Sequence, residues 1–326
     1  MKLVSTVLLS AYAAAHLAAQ SAPVKVLNGF DPVILATTSK EKDGLPSLTA
    51  TRGRFLYQFA TAENKAIFEK DPQRYEVQMN GMCARMGPPT GGGPGNYMVY
   101  KGLIYLFGSG DCREAFEEAP EKFIEKPVDL TPGPAADQKR ASAMIAKALE
   151  AAGGAAKIDG MKSLKITAKL NDGRTDRIAY FRFPEDIVLD DSNPRFRSRQ
   201  VMTASDAFRY TPGQPRLYPF PPSAVELTKR DLFIQPLLLL RHRGEFQILG
   251  TSHGPDGDRA DVVFMGARLS LGFDAATGEL RSISRQGRNK NFEVAVVTDT
   301  FPVAGATVEI DVPVPAELFI RPPAAQ

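Results

Sequence analysis

Two stretches of the chain repeat each other 48 residues apart, with no gap between matched positions. The first runs Gly53-Arg54-Phe55-Leu56-Tyr57-Gln58-Phe59-Ala60-Thr61 and continues with Phe68, Pro72 and Tyr75. The second runs Lys101-Gly102-Leu103-Ile104-Tyr105-Leu106-Phe107-Gly108-Ser109 and continues with Phe116, Pro120 and Phe123. Each copy reads as a short strand, a hydroxyl residue suited to capping, a short helix and a Pro that closes it. Such a duplication points to a small module built from two like halves. Cys83 follows the first copy and Cys112 lies inside the second, and these are the two cysteines of the chain.

A length of 326 residues suits two domains. The net charge of +3 is spread without a Lys/Arg block, which argues against nucleic acid or an anionic membrane surface as partner. Residues 1–20 read as a signal peptide: Lys2, an apolar run from Leu3 to Ala15, and small residues at Ala18 and Ala19. The expectation is an exported protein, periplasmic or secreted. No later segment holds about 18 uninterrupted apolar residues, so no stable membrane insertion is expected.

The first module is expected over 21–130. It has strands at Phe55–Phe59 and Leu103–Phe107, and helices at Ala62–Lys70 and Gly110–Glu118 capped by Thr61 and Ser109. Between the copies, Gly87 to Gly95 is too rich in Gly and Pro for regular structure, and it lacks the ending of a phosphate loop. A proline-rich linker follows at 131–137.

The second domain is expected over 138–326. Asp137 reads as the cap of a helix whose Ala141, Met144, Ile145, Ala148, Leu149 and Ala152 form one apolar stripe, stopped by Gly153-Gly154. After it, Leu164, Ile166, Ala168 and Leu170 alternate, and Asn171-Asp172-Gly173-Arg174 reads as a hairpin turn. Further strands are expected at Arg177–Phe183, Glu245–Gly250, Asp261–Phe264, Arg268–Phe273, Glu279–Arg285, Phe292–Thr298, Thr307–Asp311 and Glu317–Arg321. Asp231 to Leu240, a Leu-rich run interrupted by Pro236, reads as a helix over the sheet. The fold class is α+β: a duplicated strand–helix module, then an antiparallel sheet with covering helices.

Two resemblances follow. Asn28-Gly29-Phe30-Asp31-Pro32-Val33, Phe59, Glu63-Asn64, Phe68, Pro72, Tyr75, Gly81-Met82-Cys83-Ala84 and Gly102-Leu103-Ile104-Tyr105-Leu106 are similar, in order, to the YHS domain, a relative of the TRASH metal-binding domains. Met82 stands where that family has an aromatic residue. The resemblance implies a metal role for Cys83. Ala148 to Gly154, Ser163 to Thr167, Phe273 to Leu280, and Thr298 to Phe301 with Val303-Ala304-Gly305 resemble the periplasmic lipoprotein-carrier (LolA/LolB-like) family. That resemblance implies an antiparallel half-barrel with an apolar concavity.

The residues leave several chemistries open. Two cysteines in an exported chain suit a disulfide, which would stabilise by about 3 kcal/mol on the chain-entropy model. Alternatively, Cys83 and Cys112 with Met82 and Met86 make a soft donor set, which selects Cu(I). Cys112 at the third position of its helix favours thiolate. The bland alternative is that Met79, Met82 and Met86 are adaptable core packing. Phe208, Tyr210, Tyr218, Phe220, Leu237, Leu238 and Leu240 are the candidates to line an apolar pocket, or else a plain core. His242 and His253 stand in no nucleophile or metal motif, and Arg241-His242-Arg243 reads as a solvated turn. The expectation is a non-enzymatic binding protein whose partner is a hydrophobic small molecule or a lipidated protein. A disulfide-bridged scaffold and an envelope enzyme using His242 or His253 as base are the alternatives.

Overall fold

A computed structural model describes residues 23–87, 90–170, 173–214, 217–219 and 222–322. The expected signal peptide lies outside them, as do Phe220 and the centre of the 171–174 turn.

The N-terminal part contains β1 (Val24–Lys25), α1 (Pro32–Thr38), β2 (Leu45–Arg52), β3 (Phe55–Phe59), α2 (Ala62–Lys70), α3 (Pro72–Tyr75), β4 (Tyr97–Tyr100), β5 (Leu103–Leu106) and α4 (Gly110–Glu118). β3 pairs with β1 in parallel and with β2 antiparallel, and β4 and β5 form a hairpin. The duplication is physical. Phe68 of α2 packs on Tyr57 and Phe59 with ring centroids 4.9 and 5.1 Å apart. Phe116 of α4 packs on Tyr105 and Phe107 at 5.3 and 5.1 Å. Alternate strand residues share a face, so each strand offers an aromatic pair to one helical Phe. Thr61 and Ser109 accept from the backbone N–H of Asn64 and Cys112 as N-caps.

The duplication also extends upstream of the matched stretches, in a different register. Leu27-Asn28-Gly29 and Met79-Asn80-Gly81 are three-residue turns with φ of 59, 55 and 92° and of 53, 52 and 72°. Asn and Gly tolerate this left-handed run better than other residues. The chain enters each turn through a parallel pairing, Lys25 with Leu56 and Val77 with Ile104.

The C-terminal part begins with α5 (Ala135–Ala151) and α6 (Ala155–Gly160). Strands β6 (Ser163–Leu170), β7 (Thr175–Arg182), β8 (Asp186–Asn193), β9 (Phe196–Met202), β10 (Ala207–Tyr210) and β11 (Leu217–Pro219) follow as a meander. Next come α7 (Pro222–Leu232) and α8 (Pro236–Arg241). Then come β12 (Gln247–Gly254), β13 (Gly257–Phe264), β14 (Ala267–Phe273), β15 (Leu280–Arg288), β16 (Val294–Thr300) and β17 (Thr307–Ile310). They make a seven-stranded sheet, β11-β10-β9-β8-β7-β6-β17, and a five-stranded sheet, β12 to β16 in order. All neighbours in both are antiparallel, and neither sheet closes into a barrel. One core joins α5, α6, α8 and the inner faces of both sheets through Ile145, Leu164, Phe181, Leu238, Phe264 and Ile283. Among the described residues no helix is long and apolar enough to cross a membrane.

Several expectations are corrected. Asp137 is not a cap: α5 starts two residues earlier behind Pro134, and Asp137 sits in its first turn, 3.2 Å from Arg140. Strands β8 to β11 were not expected from sequence; in β8 and β9, Asp190, Asp191, Arg197 and Arg199 interrupt the apolar alternation. These charges pair across strands, Arg199 to Asp190 at 2.5 Å and Arg177 to Asp191 at 2.7 Å. Glu317–Arg321 is not a strand. A 3-10 turn at Ala316–Phe319 lays Leu318 and Phe319 on the outer face of the seven-stranded sheet. The Leu-rich helix is two helices, because Pro236 has no N–H to continue one and Gln235 caps the second by accepting from Leu238.

The stretch from Lys126 to Gly133, which runs into the expected linker, lies pinned to the outer face of the five-stranded sheet, and the last three linker residues belong to α5. Lys126 N–H donates to Gln286 Oε1 at 3.0 Å, and Gln286 Nε2 donates to the Lys126 carbonyl at 2.9 Å. Arg268 donates to the Asp129 carbonyl at 3.0 Å, and Gly133 N–H to the Leu249 carbonyl at 2.6 Å.

Candidate functional site

The upstream repeat identifies what the cysteines replace. In the first copy Asp31 is fully buried and ends the Asn-Gly turn. Its Oδ1 accepts from the N–H groups of Val33 and Ile34, at 2.9 and 3.2 Å. Its Oδ2 accepts from Ala60 N–H at 2.7 Å and from Asn64 Nδ2 at 2.8 Å. This lock ties the turn, β3 and α2 together. In the second copy Cys83 stands in the place of Asp31, 52 residues on, and Cys112 in the place of Asn64, 48 residues on. The surroundings match: Asp31 N–H donates to Lys42 at 2.9 Å, and Cys83 N–H to Thr90 at 2.8 Å, each to a backbone carbonyl. The second copy therefore carries two thiols where the first carries a carboxylate and an amide.

Both thiols are free and buried, at 0 and 4 % exposure. They share a cluster with Phe107 and Phe116, against which Met79 and Met86 pack. Burial pushes the Cys112 thiol up. Hydrogen bonding with Ser109, Arg85 and Cys83, and the charge of Arg85, outweigh that and hold it below its ordinary value. Of the soft set expected from sequence, the structure brings Cys83, Cys112 and Met86 into one cluster. Met82 is buried outside it. Among the described residues no three His, Cys, Asp or Glu side chains group together. Two thiols and a thioether suit a low-coordinate soft ion such as Cu(I), and lack the four ligands of a structural zinc site.

Arg288, at the end of β15, reaches this site from the C-terminal part. It donates to the carbonyls of Ala84 at 3.1 Å, Arg85 at 2.8 Å, Phe123 at 2.9 Å and Phe292 at 2.9 Å. Its Nε is buried and has no hydrogen-bond partner. Burial holds its guanidinium below the ordinary value, against the opposing charge of Glu125. Arg85 lies over the Phe292 ring at 5.5 Å, and Lys122 pairs with Glu293 at 3.1 Å.

The second candidate is an apolar cleft of about 390 Å³ between α5, α8 and the adjoining ends of the two sheets. Ala148, Ala152, Ile166, Leu237, Leu240, Leu280, Phe301 and Val308 line it, with Gln235, Glu279 and Arg281 as its polar members. The sequence candidates divide. Leu237 and Leu240 line the cleft. Leu238 is fully buried in the core beside it. Phe208 and Tyr210 face the other way, with Val188, Val201 and Phe319 on the outer face of the seven-stranded sheet. Strand parity decides this: Ile187, Leu189 and Met202 take the inner face, so their neighbours Val188 and Val201, and Phe208 paired with Val201, must point outward. Tyr218 belongs to β11, and its side chain, like Phe220, lies outside the description. Phe301 and Val308 fall inside stretches the sequence did single out, the Thr298 to Phe301 resemblance and the Thr307–Asp311 strand, but nothing in the sequence aimed them or Ala306 at a pocket.

His242 is not in a solvated turn. It stacks on Phe233 at 4.6 Å and bonds Glu245 at 2.7 Å, while Arg241 and Arg243 tie α8 to α6 through the Ile158 and Asp159 carbonyls and the Asp159 carboxylate. His253 is exposed and bonds Asp258 at 3.1 Å. Compared with known proteins, the chain matches no family model and no curated sequence.

Proposed function

We propose that this chain is an exported, non-enzymatic binding protein whose C-terminal part acts as a half-barrel carrier of an apolar ligand, and whose YHS-like N-terminal part contributes a thiol site. The observation that carries the reading is the cleft. Its volume falls in the usual range for small-molecule sites, and its walls are mostly apolar. Its rim residues Val303 and Val308 are 46 and 43 % exposed. Apolar side chains left in water beside an open apolar cleft suit a hydrophobic small molecule, or the acyl chain of a lipidated protein.

Titration with an environment-sensitive apolar dye, displaced by a medium-chain fatty acid, tests this reading. Wild type binds the dye and releases it to the fatty acid. Leu237→Asp, which puts a charge on a half-buried lining position, weakens binding more than about tenfold while the melting temperature changes little. Absence of displaceable binding in folded wild type would refute the carrier reading.

A second reading rests on the clustering of Cys83, Cys112 and Met86. The thiol site holds a soft metal ion, Cu(I). Competition against a Cu(I) chelator checks it, with uptake lost in Cys112→Ser. If the two thiols serve instead as a bridge, the same variant only lowers the melting temperature.

A further inference from the structure

We propose that Cys83 and Cys112 form a redox-active dithiol whose oxidation to a disulfide releases the Arg288 clamp between the two parts of the chain. The inference does not depend on what fills the apolar cleft.

Three observations carry it. First, the pair occupies the place of the Asp31–Asn64 lock, whose side chains meet at 2.8 Å. The equivalent positions of the second copy hold two free thiols within one buried cluster, so a permanent hydrogen bond is replaced by two thiols that can join. Second, Arg288 holds the N-terminal part through carbonyls only, and three of its four acceptors flank the dithiol. Ala84 and Arg85 follow Cys83 directly, and Phe123 packs in the same cluster as both cysteines. A guanidinium held by carbonyls has no carboxylate to follow it, so its grip depends on where those carbonyls stand. Third, Arg85 ties the two together. Its carbonyl accepts from Arg288, its guanidinium lies over Phe292 of the C-terminal part, and its charge helps hold the Cys112 thiol below its ordinary value. Closing a sulfur–sulfur bond of about 2.05 Å draws Cys83 toward Cys112 and takes away the ionisable Cys112 thiol that the charge of Arg85 favours as thiolate. Both changes act on the segment from Cys83 to Arg85 that carries the clamp's acceptors.

The oxidant is a low-molecular-weight disulfide. A pocket of about 450 Å³ between α4 and the 290–293 turn, walled by Arg85, Lys122 and Lys290 and also by Glu118 and Glu293, adjoins the cysteine cluster through Phe123; neither cysteine lines it, so the attack requires this side of α4 to open. The Cys112 thiolate attacks one sulfur of the external disulfide and expels a thiolate. The Cys83 thiolate then attacks the mixed disulfide at Cys112 and expels the second. Two external thiols leave with the two cysteine protons, and two electrons pass from the dithiol to the external disulfide.

Hydrogen exchange of the full chain, read by mass spectrometry with and without oxidised glutathione, tests the proposal. The controls are Arg288→Ala and the double variant Cys83→Asp/Cys112→Asn, which rebuilds the lock of the first copy and cannot oxidise. Cys83→Ser/Cys112→Ser takes its place if that variant does not fold. The expected result is a disulfide in wild type, with exchange about tenfold faster in 84–87, 123–126 and 288–293 and unchanged in the α5 core. The non-oxidisable variant shows no response to the oxidant, and Arg288→Ala shows fast exchange in both conditions. A disulfide that forms while these segments stay protected overturns the proposal. So does a folded wild type whose thiols never join under conditions that oxidise the denatured chain.

Discussion

Asn64 donates to Asp31 across 2.8 Å, and the residues in their places in the second copy are Cys112 and Cys83. One half of a duplicated module therefore keeps a buried polar lock, and the other carries two buried, free thiols in its place. Because the two halves share their turns, pairings and aromatic wedges, the first copy is an internal reference for what the second has changed.

The lock itself is the first test. Asp31→Ala leaves Asn64 and the Ala60 N–H facing an empty buried site, and should lose about 3–5 kcal/mol in urea unfolding. Asp31→Asn keeps the shape and one acceptor and should lose less. A loss within experimental error for Asp31→Ala would show that the lock does not hold the first copy together.

Phe68 and Phe116 make the same wedge in the two copies, at 1 and 0 % exposure. Truncation of either to Ala should lower stability by about 3–5 kcal/mol, and the two losses should be similar. A large effect from one and none from the other, by chemical denaturation, would mean that the copies are not energetically equivalent.

The duplication was legible in sequence only where its register is constant. From Gly53 and Lys101 onward the offset holds, and the strands, caps and helices fall where the pattern put them. Upstream, Asp31 precedes Gly53 by 22 residues and Cys83 precedes Lys101 by 18, so a gapless comparison never sets Asp31 against Cys83. The repeated Asn-Gly at Asn28 and Asn80 was the available signal. In the C-terminal part, the α5 stripe and the regular hairpins were legible because one face is apolar. Strands β8 and β9 were not, because Asp190 and Arg199, an ion pair across the sheet, hide the alternation. The cleft was half legible: Leu237 and Leu240 stand out, but Ile166, Phe301 and Val308 meet them only through the folded topology.

Neighbouring leucines of α8 separate core from cleft. Leu238 is fully buried and Leu237 lines the opening. Leu238→Asp buries an unpaired charge and should unfold the C-terminal part, seen as loss of its cooperative melt. Leu237→Asp should melt near wild type. The reverse order would mean that α8 is rotated from its described position.

Burial holds the Asp299 carboxyl above its ordinary value of 3.8; Arg285 opposes the shift and Asp231 adds to it. The fold therefore favours the protonated form. Stability is greatest below the unfolded-state value and falls as pH rises from there through the folded-state value. Asp299→Asn should remove that slope, making the variant more stable than wild type above the window and not below it. Parallel stability–pH curves for the two proteins would contradict the assignment.

Native mass spectrometry of the purified full chain tests the central claim most directly. The account predicts a population carrying one apolar molecule, released on activation in the gas phase, and absent or much reduced in Leu237→Asp. A ligand-free mass for wild type, unchanged after incubation with excess fatty acid under conditions where the protein is folded, would contradict it.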